Sequence, residues 1–134
     1  GLRQPIVRPD CTHAYYVYPL VLDPAVVGVS RATLIAALEA EGVTGLAAGY
    51  ANIHLLPMYQ RKIAYGSAGF PWTSNICRRD VSYAKGICPV AERLHDETFI
   101  EFQTCLHELD DAEVDLVILA FRKVWAERDS LDAF

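Results

Sequence analysis

The sequence has no closely spaced pair of cysteines. Its four cysteines include no C-x-x-C unit, the arrangement that is typical of structural zinc sites and thiol redox centres. No positively charged stretch followed by a short apolar segment opens the chain, as it would in a secretory signal. We therefore expect unpaired thiols and no bound metal, in a protein of the cytoplasm. A zinc site stays open as the less favoured alternative, and its candidate ligands are Cys77, Cys88, His95, Cys105 and His107.

Long apolar runs and an excess of positive charge are also missing. No uninterrupted run approaches the roughly 20 apolar residues that a membrane-spanning helix needs. The formal net charge of −5 offers no basic field that would attract the phosphates of nucleic acids or anionic lipids. We therefore expect neither a nucleic acid nor a membrane among the partners. With 134 residues, of which 52% are hydrophobic and 22% charged, the chain has the size and composition of one globular domain.

Two helices carry clear local signals. A serine before the first apolar residue and a glycine after the last predict a helix over residues 31–41. Near the end of the chain, Asp110 and Glu113 form a capping-box pattern in front of apolar residues at helical spacing. This pattern predicts a second, longer helix over residues 111–127.

The other regular elements have weaker signals. Segments rich in β-branched, aromatic or small residues predict strands over residues 14–22, 43–49 and 98–104. Pro19 cannot donate to a strand ladder, so it favours an edge position or a bulge. Between Tyr50 and Pro89 about 40 residues of loop remain, with at most short helices over 57–65 and 90–96; such a long loop is uncommon unless it is functional. The elements together predict an α+β fold, with a small antiparallel or mixed sheet of about three strands packed by helices.

Several motifs follow one another in the order found in a known enzyme family. They are the strand residues His13, Tyr15 and Tyr18, the pair Glu41-Gly42, the series Tyr50, Ile53, His54, Pro57 and Tyr59, the pair Phe70-Pro71, the segment 89–97, and the D-x-x-E start of the last helix. On these motifs the chain resembles, from about Thr12 to Trp125, the C-terminal small domain of the DegT/DnrJ/EryC1/StrS aminotransferases. Members of that family are pyridoxal-phosphate enzymes that aminate keto-sugars attached to nucleotides.

The resemblance implies a division of labour between two domains. Residues 1–12 carry two prolines and little periodicity, which predicts a linker or a lead-in. By the resemblance, residues 13–134 would be the small domain of a fold-type-I pyridoxal-phosphate enzyme whose large catalytic domain lies outside this sequence. That large domain would bind the cofactor, so we expect no catalytic and no cofactor-binding residue here, and this chain alone should be inactive. The implied partners are the chain's own large domain, a nucleotide-sugar substrate, an amino-acid donor such as glutamate, and a second copy in a homodimer of the intact enzyme.

The three lysines of the sequence agree with that division. Schiff-base chemistry needs a lysine in a desolvated or cationic setting, with groups nearby that hold the cofactor ring and its phosphate. Lys123 lies beside a second cation on the last helix, where a solvated role is expected. Lys62 and Lys85 lie in the long loop without a phosphate-binding glycine cluster.

The small domain of such an enzyme would form a wall over the cofactor cleft and exclude water from it. Hydrogen-bond donors and aromatic faces would be needed there for the sugar and the diphosphate. The candidate substrate-binding residues are Tyr50, Asn52, His54, Tyr59 and Arg61. Each also has a structural interpretation: a histidine that caps loop carbonyls, tyrosines that complete a core, or an arginine that is merely solvated.

A second hypothesis belongs to a different class of protein. A stand-alone α+β module that binds a small ligand or regulates another protein would also be compact and lack catalytic groups, and the long loop would form its pocket.

Overall fold

The computed structural model describes residues 1–77 and 79–133, and at Cys105, Asp132 and Ala133 it describes the backbone alone. The chain divides into two compact units. The first consists of Gly1–Tyr50 together with Asp96–Phe134, and the second of Ala51–His95. The first unit contains a sheet packed by helices, which confirms the α+β fold class, and the second corresponds to most of the predicted loop.

The sheet has four strands in the order β1-β2-β4-β3, and every neighbouring pair is antiparallel. The strands are β1 (Leu2–Arg3), β2 (Tyr18–Leu22), β3 (Leu46–Ala48) and β4 (Phe99–Phe102). The three predicted strands are therefore present, each shorter than its sequence pattern indicates. The fourth, β1, lies in the segment for which the sequence predicts a lead-in, and it pairs with Leu22 and Val21.

Strand β2 begins four residues later than its pattern predicts. The residues before it form ring contacts instead: His13 stacks on Tyr15 with ring centroids 4.0 Å apart, and Tyr15 lies 5.0 Å from Tyr18. Pro19 pairs with Glu101 of β4. Strand β1, on the other side of β2, pairs only with Val21 and Leu22. Among the described residues no strand lies opposite Pro19 on its other side, which agrees with the predicted edge character.

Three helices belong to the first unit: α1 (Pro24–Val27), α2 (Arg31–Ala40) and α5 (Asp111–Ala126). Ser30 caps α2 by accepting a hydrogen bond from the backbone N–H of Thr33 at 3.1 Å. Gly42, with a φ of 91°, follows the end of that helix in the left-handed region that the sequence pattern requires.

Helix α5 begins with a complete capping box. The Asp110 carboxylate accepts from the backbone N–H of Glu113 at 2.9 Å, and the Glu113 carboxylate accepts from the backbone N–H of Asp110 at 2.9 Å. Both long helices of the sequence analysis are thereby confirmed to within about one residue.

The core lies between one face of the sheet and helices α2 and α5. Leu38 of α2 and Ile100 of β4 are both 0% exposed. The buried set contains aliphatic residues from every layer, namely Leu20, Leu22, Val27, Val29, Leu34, Leu38, Val43, Leu46, Ile100, Ala120 and Val124. No helix among the described residues combines the length and the apolar character that crossing a membrane requires.

The second unit has little regular structure. Its helices are α3 (Pro57–Gln60) and α4 (Pro89–Arg93), preceded in the chain by a 3-10 turn at Ile53–Leu55. Both helices end earlier than predicted, and after α4 the chain continues as a π-helical turn over Leu94–Thr98. Since short helices contribute few backbone hydrogen bonds, side-chain hydrogen bonds to backbone groups hold much of this unit together.

Candidate functional site

The carboxylate of Glu92 lies at the centre of a buried hydrogen-bond network in the second unit. It accepts hydrogen bonds from the backbone N–H of Gly86 at 2.8 Å and from that of Cys88 at 3.2 Å. The ring atom Nε2 of His54 lies 2.9 Å from the same carboxylate. Glu92 is only 6% exposed. The network therefore connects the start of α4 to the turn before it and to the 3-10 turn that carries His54.

This environment fixes the charge of Glu92 and the proton of His54. Burial raises the pKa of Glu92, but the hydrogen bonds from Gly86, Cys88 and His54 act in the opposite direction and hold the pKa below its usual range. An ionised carboxylate can only accept, so the proton on the imidazole of His54 lies on Nε2. His54 is thus bound within its own unit through Nε2, and its Nδ1 is the ring atom left for another partner.

Gln60, the last residue of α3, connects two loops of the same unit. Its side-chain amide donates to the backbone carbonyl of His54 at 2.7 Å and to that of Tyr83 at 2.6 Å. Both protons of one amide group are therefore used on loop carbonyls. The 3-10 turn at Ile53–Leu55 is held from two directions, by Glu92 through the imidazole and by Gln60 through the backbone.

Three aromatic rings form a cluster in this unit. Tyr59 lies 5.2 Å from Tyr83 and 6.2 Å from Trp72, measured between ring centroids, and the Trp72 ring is nearly perpendicular to both. The indole N–H of Trp72 donates to the hydroxyl of Tyr83 at 3.0 Å. Edge-to-face rings of this kind stabilise a small core beyond the area they bury.

A polar pocket of about 350 Å³ opens beside the cluster. Its walls are formed by Lys62, Trp72, Thr73, Cys77, Arg79 and Asp80. The Lys62 ammonium lies 2.6 Å from the Asp80 carboxylate, and this hydrogen bond together with the positive charge lowers the pKa of Asp80.

The structure separates the five candidate substrate-binding residues by exposure. Tyr50 ends the segment Gly1–Tyr50 of the first unit, and it is 75% exposed. Asn52, His54, Tyr59 and Arg61 all belong to the second unit. There His54 and Tyr59 are packed into the network and the aromatic cluster, whereas Arg61 is exposed at the end of α3.

Asn52 differs from the others because part of its side chain is buried without a partner. The residue is 8% exposed, and its amide nitrogen Nδ2 forms no hydrogen bond with any described residue. It precedes the 3-10 turn at Ile53–Leu55 without capping it through its side chain. A buried donor of this kind is costly unless a water molecule or a ligand satisfies it.

Metal-ligating side chains do not converge in the part of the chain that the structure describes. No group of three or more His, Cys, Asp or Glu residues there has the geometry to hold a metal ion. Cys11, Cys77 and Cys88 are free thiols. Of the zinc ligands considered from the sequence, the Cys105 side chain lies outside the described residues.

Sequence reasoning missed the residues that organise the second unit. Glu92 lies in the motif segment 89–97 but has no individual signal, because it follows the N-cap residue Cys88 by four positions, whereas the glutamate of a capping box follows by three. The pocket residues Arg79 and Asp80 gave no local signal, because Asp80 lies 18 positions from its partner Lys62.

Comparisons with known proteins support the resemblance seen in the sequence. A model of the DegT/DnrJ/EryC1/StrS aminotransferase family matches residues 2–101. The spore coat polysaccharide biosynthesis protein SpsC of Bacillus subtilis is 35% identical over 82 residues, which cover 61% of this chain and 21% of SpsC. An uncharacterized protein of Methanocaldococcus jannaschii is 24% identical over 101 residues, which cover 75% of this chain and 25% of that protein.

The chain thus spans about a fifth to a quarter of the length of these curated relatives. The family model, by contrast, covers most of the chain, from the first strand of the sheet to the last. The chain belongs to the DegT/DnrJ/EryC1/StrS aminotransferase family.

Proposed function

We propose that this chain is the C-terminal small domain of a pyridoxal-phosphate-dependent aminotransferase that acts on a nucleotide-linked keto-sugar. In that role it supplies a wall of the substrate site and an interface to the large domain, and it does not catalyse amino transfer alone. The observation that carries the proposal is the family match over residues 2–101, in a chain aligned to only a fifth to a quarter of its relatives.

The settings of the lysines support the assignment of cofactor chemistry to the rest of the protein. Lys62 is paired with Asp80 at 2.6 Å, and Lys123 with Glu41 at 2.7 Å and with its side chain 61% exposed. Lys85 is exposed in the second unit. A nucleophilic lysine has to lose its proton, and an ammonium that is open to water or held by a carboxylate is poorly prepared for that. The lysines of this chain therefore do not fit the cofactor's need for a Schiff-base lysine.

Exposed apolar residues on α5 support the interface role. Leu116 is 66% exposed and Leu119 is 61% exposed, on a helix whose opposite side packs into the core. On the same helix, Val114 is 40% exposed and Ile118 is 41% exposed. Leu116 and Leu119 border one pocket on the surface of this helix, and Val114 and Ile118 border another. Large exposed aliphatic side chains on a helix of the core are typical of a surface that another domain or subunit covers.

Asn52 is the candidate with the most specific support for a role in the substrate wall. Its Nδ2 is a fully buried donor without a partner among the described residues, so a sugar hydroxyl that reached it after a local rearrangement would satisfy a group that is otherwise costly. His54 would offer Nδ1, because Nε2 is held by Glu92. Tyr50, Tyr59 and Arg61 remain candidates on chemical grounds, with Tyr50 and Arg61 accessible at the surface.

The test is to find which lysine carries the cofactor in the full-length protein. That protein would be loaded with pyridoxal phosphate and treated with borohydride, which converts the cofactor–lysine linkage into a stable bond, and the modified peptide would be identified by mass spectrometry. We expect the label on a lysine outside residues 1–134. A label on Lys62, Lys85 or Lys123 would refute the division of labour.

Amino transfer itself needs a separate measurement. The loaded full-length protein should convert glutamate to its keto acid in a half-reaction, and it should then aminate a nucleotide-linked keto-sugar. The 134-residue chain under the same conditions is the matched control, and we expect it to do neither. A full-length protein that binds no cofactor would instead support the stand-alone ligand-binding or regulatory module, which the aminotransferase family match disfavours.

A further inference from the structure

The pocket beside the aromatic cluster contains two cations in a chain that is acidic overall. Among the residues that the structure describes, Lys62 and Arg79 line it together with one carboxylate, that of Asp80. The formal charge of the pocket lining is therefore positive, although the whole chain has a net charge of −5. A positively charged pocket on an acidic protein attracts anions to this part of the surface.

The Arg79 guanidinium forms no ion pair or hydrogen bond with any described residue. Its backbone carbonyl accepts a weak hydrogen bond from the thiol of Cys77 at 3.5 Å, but the side chain, which is exposed, has its donors available. A guanidinium presents planar pairs of donors that match two oxygens of a phosphate.

Lys62 combines an uncommon backbone conformation with a carboxylate partner for its side chain. Its φ of 51° lies in the left-handed region, which is uncommon for a residue other than glycine and carries a conformational cost. The ammonium bonds one oxygen of Asp80, whose own side chain is 92% exposed. Since an ammonium has three donors, Lys62 can bind an anion as well, and Asp80 then competes for it.

We propose that Lys62 and Arg79 form a binding site for the diphosphate group of a phosphorylated ligand, with Asp80 as an internal competitor for Lys62. The volume of about 350 Å³ is at the lower end for ligand pockets and has room for such a group. The two phosphates of a diphosphate offer enough oxygens to contact both cations, whereas Asp80 contacts Lys62 through one oxygen. The identification of the diphosphate as that of a nucleotide-sugar rests on the proposed function, but anion binding at this site does not.

Thr73 and Gly69 give the pocket a wall with little freedom to move. The Thr73 hydroxyl donates to the carbonyl of Ala68 at 2.9 Å. A Cβ added at Gly69 would come within 2.8 Å of the Thr73 methyl group, at a backbone φ of 79°. A side chain at position 69 would therefore displace Thr73, which lines the pocket.

Inorganic pyrophosphate is the probe for the site, and Trp72 reports on its binding. The chain has two tryptophans, so the Trp125→Phe variant leaves all indole emission to Trp72, which lines the pocket. We expect saturable quenching or enhancement on addition of pyrophosphate at low ionic strength. Lys62→Gln and Arg79→Gln should each weaken binding about tenfold, the low end for a charge-assisted hydrogen bond at an exposed site.

Asp80→Asn tests the competition and guards against misfolded variants. Removing the competing carboxylate should tighten pyrophosphate binding by about threefold, the range expected for an exposed ion pair. A variant that damaged the fold would weaken binding, so a gain cannot come from misfolding. Asp129→Asn is the matched control, because that carboxylate is 88% exposed and lies 3.7 Å from Arg128 outside the pocket; it should leave the affinity unchanged.

Arg93→Gln is the control for loss of positive charge, since Arg93 is exposed in the same unit and does not line the pocket. The proposal is overturned if pyrophosphate does not bind saturably, if Arg93→Gln weakens binding as much as Arg79→Gln, or if Asp80→Asn fails to tighten it. It is also overturned if Arg61→Gln has the large effect and Arg79→Gln has none, because the phosphate contact would then be the one that the sequence predicts.

Experiments on the full-length protein separate this proposal from the proposed function. If pyrophosphate binding follows the expected variant pattern but the full-length protein transfers no amino group, the anion site stands and the proposed function falls. If the full-length protein aminates a nucleotide-sugar, and Lys62→Gln and Arg79→Gln change neither its KM nor pyrophosphate binding, the site falls and the function stands.

Discussion

Replacing Gln60 with alanine should loosen the second unit by a predictable amount. The substitution removes two hydrogen bonds, to the carbonyls of His54 and Tyr83, that connect two loops with no sheet between them. At about 0.5–1.5 kcal/mol for each bond the sum is about 1–3 kcal/mol, and because Gln60 is exposed we expect the lower half, about 1–2 kcal/mol. The freed carbonyls can then bind water, which limits the cost.

The assay is urea unfolding followed by the fluorescence of Trp72 in the Trp125→Phe background. Trp72 belongs to the aromatic cluster that contains Tyr83, so its emission reports on the loops that Gln60 connects. A loss of about 1–2 kcal/mol corresponds to a change of about five- to thirtyfold in the unfolding equilibrium, and it is measured as a lower urea midpoint at an unchanged slope.

Two further variants make the result interpretable. Gln60→Glu keeps the shape of the side chain but removes both donors, so it should destabilise at least as much as Gln60→Ala. Gln4→Ala is the matched control, because the Gln4 side chain is exposed and forms no hydrogen bond with a described residue. Unchanged stability in Gln60→Ala, or full stability in Gln60→Glu, would refute the reasoning that this amide holds the loops.

Three other predictions concern the core, a helix end and acid stability. Leu38→Ala, at a position that is 0% exposed, should lower the free energy of unfolding by about 2–5 kcal/mol, measured by urea titration with circular dichroism. Asp110→Ala should cost about 1 kcal/mol because it removes the capping box, whereas Asp111→Ala, which leaves the box intact, should cost less in the same titration. Folding lowers the pKa of Glu92 from its usual value of 4.5. The contribution of Glu92 to the free energy of unfolding is therefore fully present above pH 4.5, and it is lost as the pH falls through the lower pKa of the folded state. Unfolding midpoints measured by Trp72 fluorescence should therefore fall with acid below about pH 4.5, and the slope should be smaller in Glu92→Gln; equal slopes would contradict the ionised state of Glu92.

The sequence by itself determined the elements whose signals are local. The start of α2 is set by Ser30 and that of α5 by Asp110 and Glu113, since a capping side chain bonds backbone groups only two or three residues away. The order of short motifs was also sufficient to identify the family, which the family match over residues 2–101 confirmed.

Tertiary structure decided the elements that depend on distant partners. Strand β1 has only two residues and exists because it pairs with Val21 and Leu22, so no propensity in its own segment could reveal it. The same pairing limits explain why the other strands are shorter than their patterns, as sheet hydrogen bonds stop where a neighbouring strand stops.

In the candidate site, too, the sequence indicates which residues are chemically suited, and the tertiary structure decides which of them are buried or paired. The sequence selected Asn52, His54 and Arg61 by chemical type, but it could not tell a buried residue from an exposed one. Only the fold brings Glu92 to His54 across 38 positions and Asp80 to Lys62 across 18. Charges and hydrogen bonds act through space over a few ångströms, so the partner of each polar group is known only when the chain is folded.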